Sequence, residues 1–334
     1  MIKRIQKRWV FFLLIPLAMF LVSFAIGKYP ISIPELLQTL FYHLADPSAI
    51  SDPKMETVLF NIRLPRVCVA LLVGGGLSMA GASYQGMFKN PLVSPDILGA
   101  SAGAGFAAAL ALYFSLSMVA VQAFAFVGGL VAVFLATSIN RKMNYDQLLG
   151  LILGGILVSS LFSAGTSAIK FWADADDKLP AITFWLMGGL HSITKRELLY
   201  ILPPMLVSFG ILFSVRWKLN VLSFGEEEAK SLGIKTRQVR YLVIIAATLI
   251  TAASVAACGM IGWVGLVIPH LCRALVGPNY RVLLPMSMIL GASYLLLVDN
   301  IARCVGVVET PIGILTALIG VPFFVVIFKY NVRR

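Results

Sequence analysis

Apolar residues along the 334-residue chain come in long continuous runs divided by short polar breaks. The runs cover Trp9–Gly27, 64–86, 96–114, 118–139, 147–169, 198–215, 238–260, 282–302 and 310–329. A helix rises about 1.5 Å per residue, so about twenty residues cross a hydrocarbon core of about 30 Å. The pattern predicts nine membrane-spanning helices. A shorter run, Gly262 to Gly277, contains Pro269 and reaches only about 24 Å as a helix. It fits a thinned or broken span buried among its neighbours.

Charge decides whether that run counts. Both ends are basic, with Lys3, Arg4, Lys7 and Arg8 at the start and Lys329, Arg333 and Arg334 at the finish, so both should be cytoplasmic. An even number of crossings is then required, and the short run becomes the tenth. With that topology the cytoplasmic stretches hold 18 basic and 5 acidic residues and the outer stretches 9 and 10. The first run lacks a small-x-small cleavage site and is expected to stay as an uncleaved span.

Composition agrees. The chain is 59% hydrophobic and 13% charged, against about 25% charged in soluble domains. The net charge of +12 follows from the inside bias and implies no nucleic-acid partner. The fold class is therefore an all-α polytopic membrane protein of ten transmembrane helices. Cys68, Cys258, Cys272 and Cys304 form no CxxC pair and are expected to be small buried hydrophobes.

One transmembrane domain fills the chain. Residues 1–57 hold the first span and an outer segment with a short amphipathic helix at Pro34–Leu44. A first repeat covers 58–170, and an outer loop, the sixth span and a cytoplasmic helix fill 171–239. A second repeat covers 238–330. GASYQGMFKNP (Gly81–Pro91) and GMIGWVGLVIP (Gly259–Pro269) share a Gly-to-Pro interval, and LGAS recurs at Leu98 and Leu290. The two units, spans 2–5 and 7–10, start on opposite sides, as in an inverted repeat.

Candidate chemistry is sparse. No G-x-x-x-x-G-K-[ST] loop can cradle a nucleotide phosphate, and no H-E-x-x-H motif or nucleophile–base set suggests an enzyme. Any energy must come from a partner or a gradient, and the deep spans offer almost no acids for gradient coupling. Asp299 and Arg303, four apart, can form a helix ion pair. His270 is expected to be a structural, hydrogen-bonded residue. Gly74-Gly75-Gly76, Gly99-x-x-x-Gly103 and Gly150-x-x-x-Gly154 predict close helix packing. The run Glu226–Ile234 (EEEAKSLGI) predicts a short cytoplasmic helix with acids at its amino end and an apolar face of Ala229, Leu232 and Ile234. An exposed helix of that kind is a docking knob.

Several stretches together resemble one family. They are Arg63-Leu-Pro-Arg66, Gly74 to Gly105 with Gln85-Gly86 and Asn90-Pro91-Leu92, Trp185 to Gly189, Ser223 to Gly233, Gly262 to His270 with Arg273, Asp299 with Arg303, and Pro311 to Gly313 with Gly320 to Phe324. Over about 58–330 the chain resembles the permease subunit of iron-complex (siderophore, haem and cobalamin) ABC importers, the FecCD family. The resemblance implies a permease in a bacterial or archaeal cytoplasmic membrane, paired with a second copy or a close paralogue. It implies two cytoplasmic ATPase subunits docked on the coupling helix at Glu226, Glu227, Ala229, Leu232 and Gly233. An outer substrate-binding protein would dock on Arg63, Arg66 and Arg303, and a cytoplasmic gate would lie at Asn90 and Leu92. The chain itself would bind no cofactor or metal, ATP and Mg being used by the ATPases. The implied cargo is a ferric siderophore first, with haem, cobalamin or molybdate-type oxyanions as alternatives.

Overall fold

The computed structural model of the protein describes residues 2–27, 29, 31–45, 52–142, 147–306 and 308–331. Among these the elements are helices: α1 (Ile2–Ala25), α2 (Ile33–Ala45), α3 (Pro53–Thr57), a π-helical turn (Val58–Arg63), α4 (Leu64–Met87), α5 (Ala100–Tyr113), α6 (Met118–Lys142), α7 (Gln147–Trp172), α8 (Lys178–Leu186), α9 (Lys195–Phe224), α10 (Glu226–Ser231), α11 (Thr236–Cys258), α12 (Val264–Val276), α13 (Tyr280–Cys304) and α14 (Ile312–Asn331). The surface helix expected at Pro34–Leu44 is α2. It begins with a reciprocal cap in which Ser32 donates to Glu35 through its N–H (2.9 Å) and hydroxyl (2.7 Å).

Lys54–Met87 is one rod, joined through the π turn. The widened turn has a local cause. Pro65 lacks an N–H and its ring crowds the carbonyl four residues back. The ladder slips accordingly, and Leu64 N–H bonds the Leu59 carbonyl.

Among the described residues six helices are long and apolar enough to cross a membrane: Lys54–Met87, Met118–Asn140, Leu148–Trp172, Lys195–Phe224, Thr236–Cys258 and Tyr280–Cys304. Shorter apolar helices are Leu14–Ala25, Ala100–Tyr113, Val264–Val276 and Ile312–Val326. The run expected as a span at 96–114 is divided. Turns precede it, Gly99 sits at φ +82°, and α5 begins at Ala100. Asp96 starts that helix by accepting from Ser101 N–H at 2.7 Å. The 14 residues of α5 reach about 21 Å, similar to the 13 of α12. The basic end groups behind the parity expectation, Lys3 to Arg8 and Lys329 to Arg334, lie outside the residues whose side chains are described.

Helix α4 is the central post, almost wholly buried against α9, α11, α12 and α13. Small residues let the backbones meet. A Cβ on Gly81 would overlap the Gly265 carbonyl of α12, and one on Gly74 would overlap the Gly291 carbonyl of α13. Helices α5, α6 and α7 pack as a second group that joins the first mainly through α11.

Two sequence expectations change here. The paired intervals Gly81–Pro91 and Gly259–Pro269 are not equivalent, because the first ends a helix and the second begins with a turn that leads into one. LGAS at Leu98 straddles a turn, whereas LGAS at Leu290 lies inside α13. The short matches therefore fall in different local structures. Cys258 and Cys272 are buried, Cys68 is half-buried and Cys304 is exposed, all as free thiols.

Candidate functional site

The polar chemistry gathers at the two ends of the bundle. At one end stand Arg63, Arg66 and Arg303, all buried. Arg66 lies near the start of α4 and faces the end of α13. Its Nε and Nη2 donate to Asp299 Oδ1 at 2.9 and 2.7 Å, and its Nη1 donates to Glu309 Oε1 at 3.2 Å. Glu309 Oε2 lies 2.8 Å from the same guanidinium. Arg303 Nε makes an ionic contact with Asp299 Oδ2 at 3.2 Å, the pair expected from the four-residue spacing.

Arg303 and Arg63 also solve a problem for α1. The last carbonyls of a helix have no partner within it, and α1 has no basic residue in its last turn. Arg303 Nη1 donates to the Ser23 and Ile26 carbonyls at 3.1 and 3.2 Å. Arg63 donates to the Phe24 and Tyr29 carbonyls. Asn300 joins the cluster, donating to Ser23 Oγ at 2.8 Å and accepting from Arg303. The three arginines expected to face an outer partner are thus brought together, and each is engaged within the chain. Glu309, on the loop between α13 and α14, is the partly exposed member of the group.

At the other end, Asn90 and Leu92 lie exposed on the turn after α4. Asn90 Oδ1 accepts from Leu92 N–H at 2.9 Å, which closes a tight side-chain turn. Gln85 ties this turn to α12. Its Nε2 donates to the Val93 and Leu266 carbonyls at 3.4 and 3.3 Å, and its Oε1 accepts from Arg273 at 2.9 Å. The Asn90–Leu92 turn is therefore fastened to α12 as well as to α4. His270, on α12, sits edge-on to Phe324 of α14 at 5.8 Å between ring centroids.

Helix α10 hangs from the same end. Gly225 breaks α9 after Phe224, and the chain turns through Glu226–Ser231. Glu226 accepts from Arg240 of α11 at 2.5 Å and from Thr236 at 3.4 Å. Asn220 of α9 donates to Asn279 at 3.0 Å and accepts from Tyr280 N–H at 2.7 Å. The knob is thus braced to α11 beside it, and the helix it hangs from is fastened to α13. Its faces differ from the expected ones. Ala229 and Ile234 turn inward, while Leu232 is 66% exposed and Phe224 is 79% exposed. The exposed apolar side chains of this segment are Leu232 and Phe224, and Glu227 is exposed as well.

Burial raises the Glu226 carboxyl pKa, but the Arg240 hydrogen bond and charge, with the charge of Lys230, bring it below the ordinary glutamate value. A depressed carboxylate stabilises the fold above its unfolded pKa, about 4.3, and the contribution is lost as pH falls through the folded value. The protection factors of amides across residues 226–234, taken against the unstructured chain at the same pH, are expected to fall on acidification in that window. Glu226→Gln should exchange fast at neutral pH and lose the acid step; an unchanged acid step in that variant would assign it to another group.

The sequence marks Asp299, Arg303 and the Glu226 helix, but not the pairing of Arg240 with Glu226, the role of Glu309 or the tie from Gln85 to Arg273. Their partners are distant in sequence, and no local spacing marks them.

A model of the FecCD transport family matches residues 13–329. The molybdate import system permease protein MolB of Haemophilus influenzae is 44% identical over 314 residues, covering 94% of this chain and 92% of that protein. The cobalamin import system permease protein BtuC of Halobacterium salinarum is 37% identical over 275 residues, covering 82% and 74%. A solved transporter assigned to the metal-chelate ABC type, in an inward-facing conformation, superposes with a TM-score of 0.87 at 40% identity. That match covers 97% of this chain and 99% of the other.

Proposed function

The chain belongs to the FecCD transport family, and as a multi-pass permease subunit of an ABC importer, we propose, it carries a small metal-containing anion inward, a molybdate-class oxyanion ahead of a metal chelate. The observation supporting that cargo is the 44% identity to a molybdate permease over nearly the full length of both chains. The ferric-chelate reading expected from the sequence has its own support in the metal-chelate transporter of similar fold.

The assembly follows the chemistry of the two ends. The helices of this chain cross the membrane ten times with both termini inside, and a second copy or paralogue completes the central path. Two ATPase subunits grip Leu232 and Phe224. Their closure passes through Glu226 to α11, and through Asn220 to α13. Helix α4 then shifts the Asn90–Leu92 turn through Gln85. At the opposite end, three guanidiniums face two carboxylates, and the surplus positive charge attracts acidic groups of a binding protein. Docking on Arg66 requires a partner carboxylate to exchange with Glu309, because Asp299 is wholly buried.

The exposed face of α7 carries Ser160, Ser163 and Ser167. Ser160 and Ser167 donate to the Ile156 and Ser163 carbonyls of their own helix at 2.8 and 3.0 Å. Hydroxyls satisfied in this way bind an anion weakly. A path lined by α7 lets cargo pass and leaves selection to the binding protein.

The test is uptake into proteoliposomes holding the permease with its cognate ATPase and binding-protein subunits. ATP-dependent accumulation of radiolabelled molybdate, with little of a ferric chelate, is the expected result. Accumulation of the chelate alone would overturn the oxyanion assignment. Uptake that persists without the ATPase subunits would overturn the motor arrangement.

A further inference from the structure

We propose that the cleft between α6, α9 and α11 is a binding site for an ethanolamine phospholipid, distinct from the cargo path and from both docking ends. The cleft has a volume of about 470 Å³, within the range of about 300–1,000 Å³ usual for ligand sites. Its cause is local. Helix α11 contributes only Ala253, Ala256 and Ala257, and α9 carries paired prolines, Pro203 and Pro204, at this level. Val119, Phe126 and Ile201 complete an apolar wall. Both α6 and α9 are largely exposed along their length, so the cleft opens toward the surrounding lipid.

Polar groups occupy one end only. Glu197 forms the start of α9, and its Oε2 is taken by the cap with Thr194, which donates through its N–H at 2.9 Å and through its hydroxyl. Glu197 Oε1 receives only a long contact from Gln122, at 3.4 Å. Deeper in the cleft, Pro204 cannot donate to the Tyr200 carbonyl, so an acceptor there lacks its helical partner. Arg196 is exposed and donates at 3.1 Å to the hydroxyl of Tyr200, which lines the cleft.

This pattern matches a zwitterionic headgroup above an acyl chain. Arg196, held beside Tyr200, supplies the cation for the phosphate, and Glu197 Oε1 accepts from the primary ammonium. A choline headgroup has no N–H to give, so the site separates the two lipids by hydrogen bonding. From Lys195 to Pro204 the helix descends about 13 Å, close to the depth of one leaflet's hydrocarbon.

Native mass spectrometry of the full chain, exchanged into equal mixtures of phosphatidylethanolamine, phosphatidylcholine and phosphatidylglycerol, tests the site. The wild-type protein should retain the ethanolamine lipid over the choline lipid by about tenfold. Glu197→Gln keeps an N3 side chain able to complete the cap and should drop retention to the choline level without changing helix content. Ala257→Phe, which fills the cleft, should reduce retention of all three lipids. Equal retention of ethanolamine and choline lipids by the wild type, a preference for phosphatidylglycerol, or an unchanged preference in Glu197→Gln would each overturn the proposal.

Discussion

Asp299→Ala should destabilise the protein by about 3–5 kcal/mol, the cost of breaking a buried ion pair on one side. Asp299 is wholly buried and lies between two guanidiniums, those of Arg66 and Arg303. Its removal leaves both cations in a low-dielectric setting. Arg66 keeps Glu309, whereas Arg303 keeps only carbonyls and Asn300. The expected readout in detergent is a fall in Tm on the order of 10 °C. Asp299→Asn preserves shape and one acceptor, and should lose less. Adding Arg66→Leu to Asp299→Ala should recover part of the loss, since the cost comes from the stranded cation. If Asp299→Ala melts with the wild type, the cluster does not hold α4 to α13.

That cluster also shows where sequence reasoning stops. The pair Asp299 and Arg303 was visible because a helix places residues four apart on one face. The bond from Arg66 to Asp299 spans 233 positions, and only the packing of α4 on α13 creates it. The docking role of Arg66 is what the family resemblance implies, and its burial against α13 cannot be read from one residue. The glycine runs did foretell close packing, and Gly74 and Gly103 meet backbone as expected. They could not name their partners. Length alone predicted the long spans well. It failed at 96–114, where a left-handed Gly99 and the Asp96 cap divide an apolar run that hydropathy treats as continuous. The coupling helix was legible as a helix, but its exposed face was not. Ala229 and Ile234 look equivalent to Leu232 in sequence, yet only the fold of α10 against α9 and α11 decides which turn inward.

The face that does point outward sets the second large effect. Among the described residues, Phe224 and Leu232 are both largely exposed apolar side chains at the two ends of α10. Burying each against an ATPase subunit contributes about 2 kcal/mol. The double variant Phe224→Ser, Leu232→Asp should therefore weaken capture of that subunit by on the order of a thousandfold. ATP-dependent uptake should fall with it, while Tm stays near the wild-type value because neither side chain is buried within the chain. Ala229→Leu acts differently. Its Cβ is packed inside, so the larger side chain should lower Tm and speed exchange in α10 before it touches docking. The Glu227→Gln variant removes an exposed charge and should change capture by less than about 1 kcal/mol. A double variant that still captures the ATPase subunit at wild-type strength would place the motor contact elsewhere. An Ala229→Leu variant that loses capture at unchanged Tm would return the docking face to the inner residues of α10.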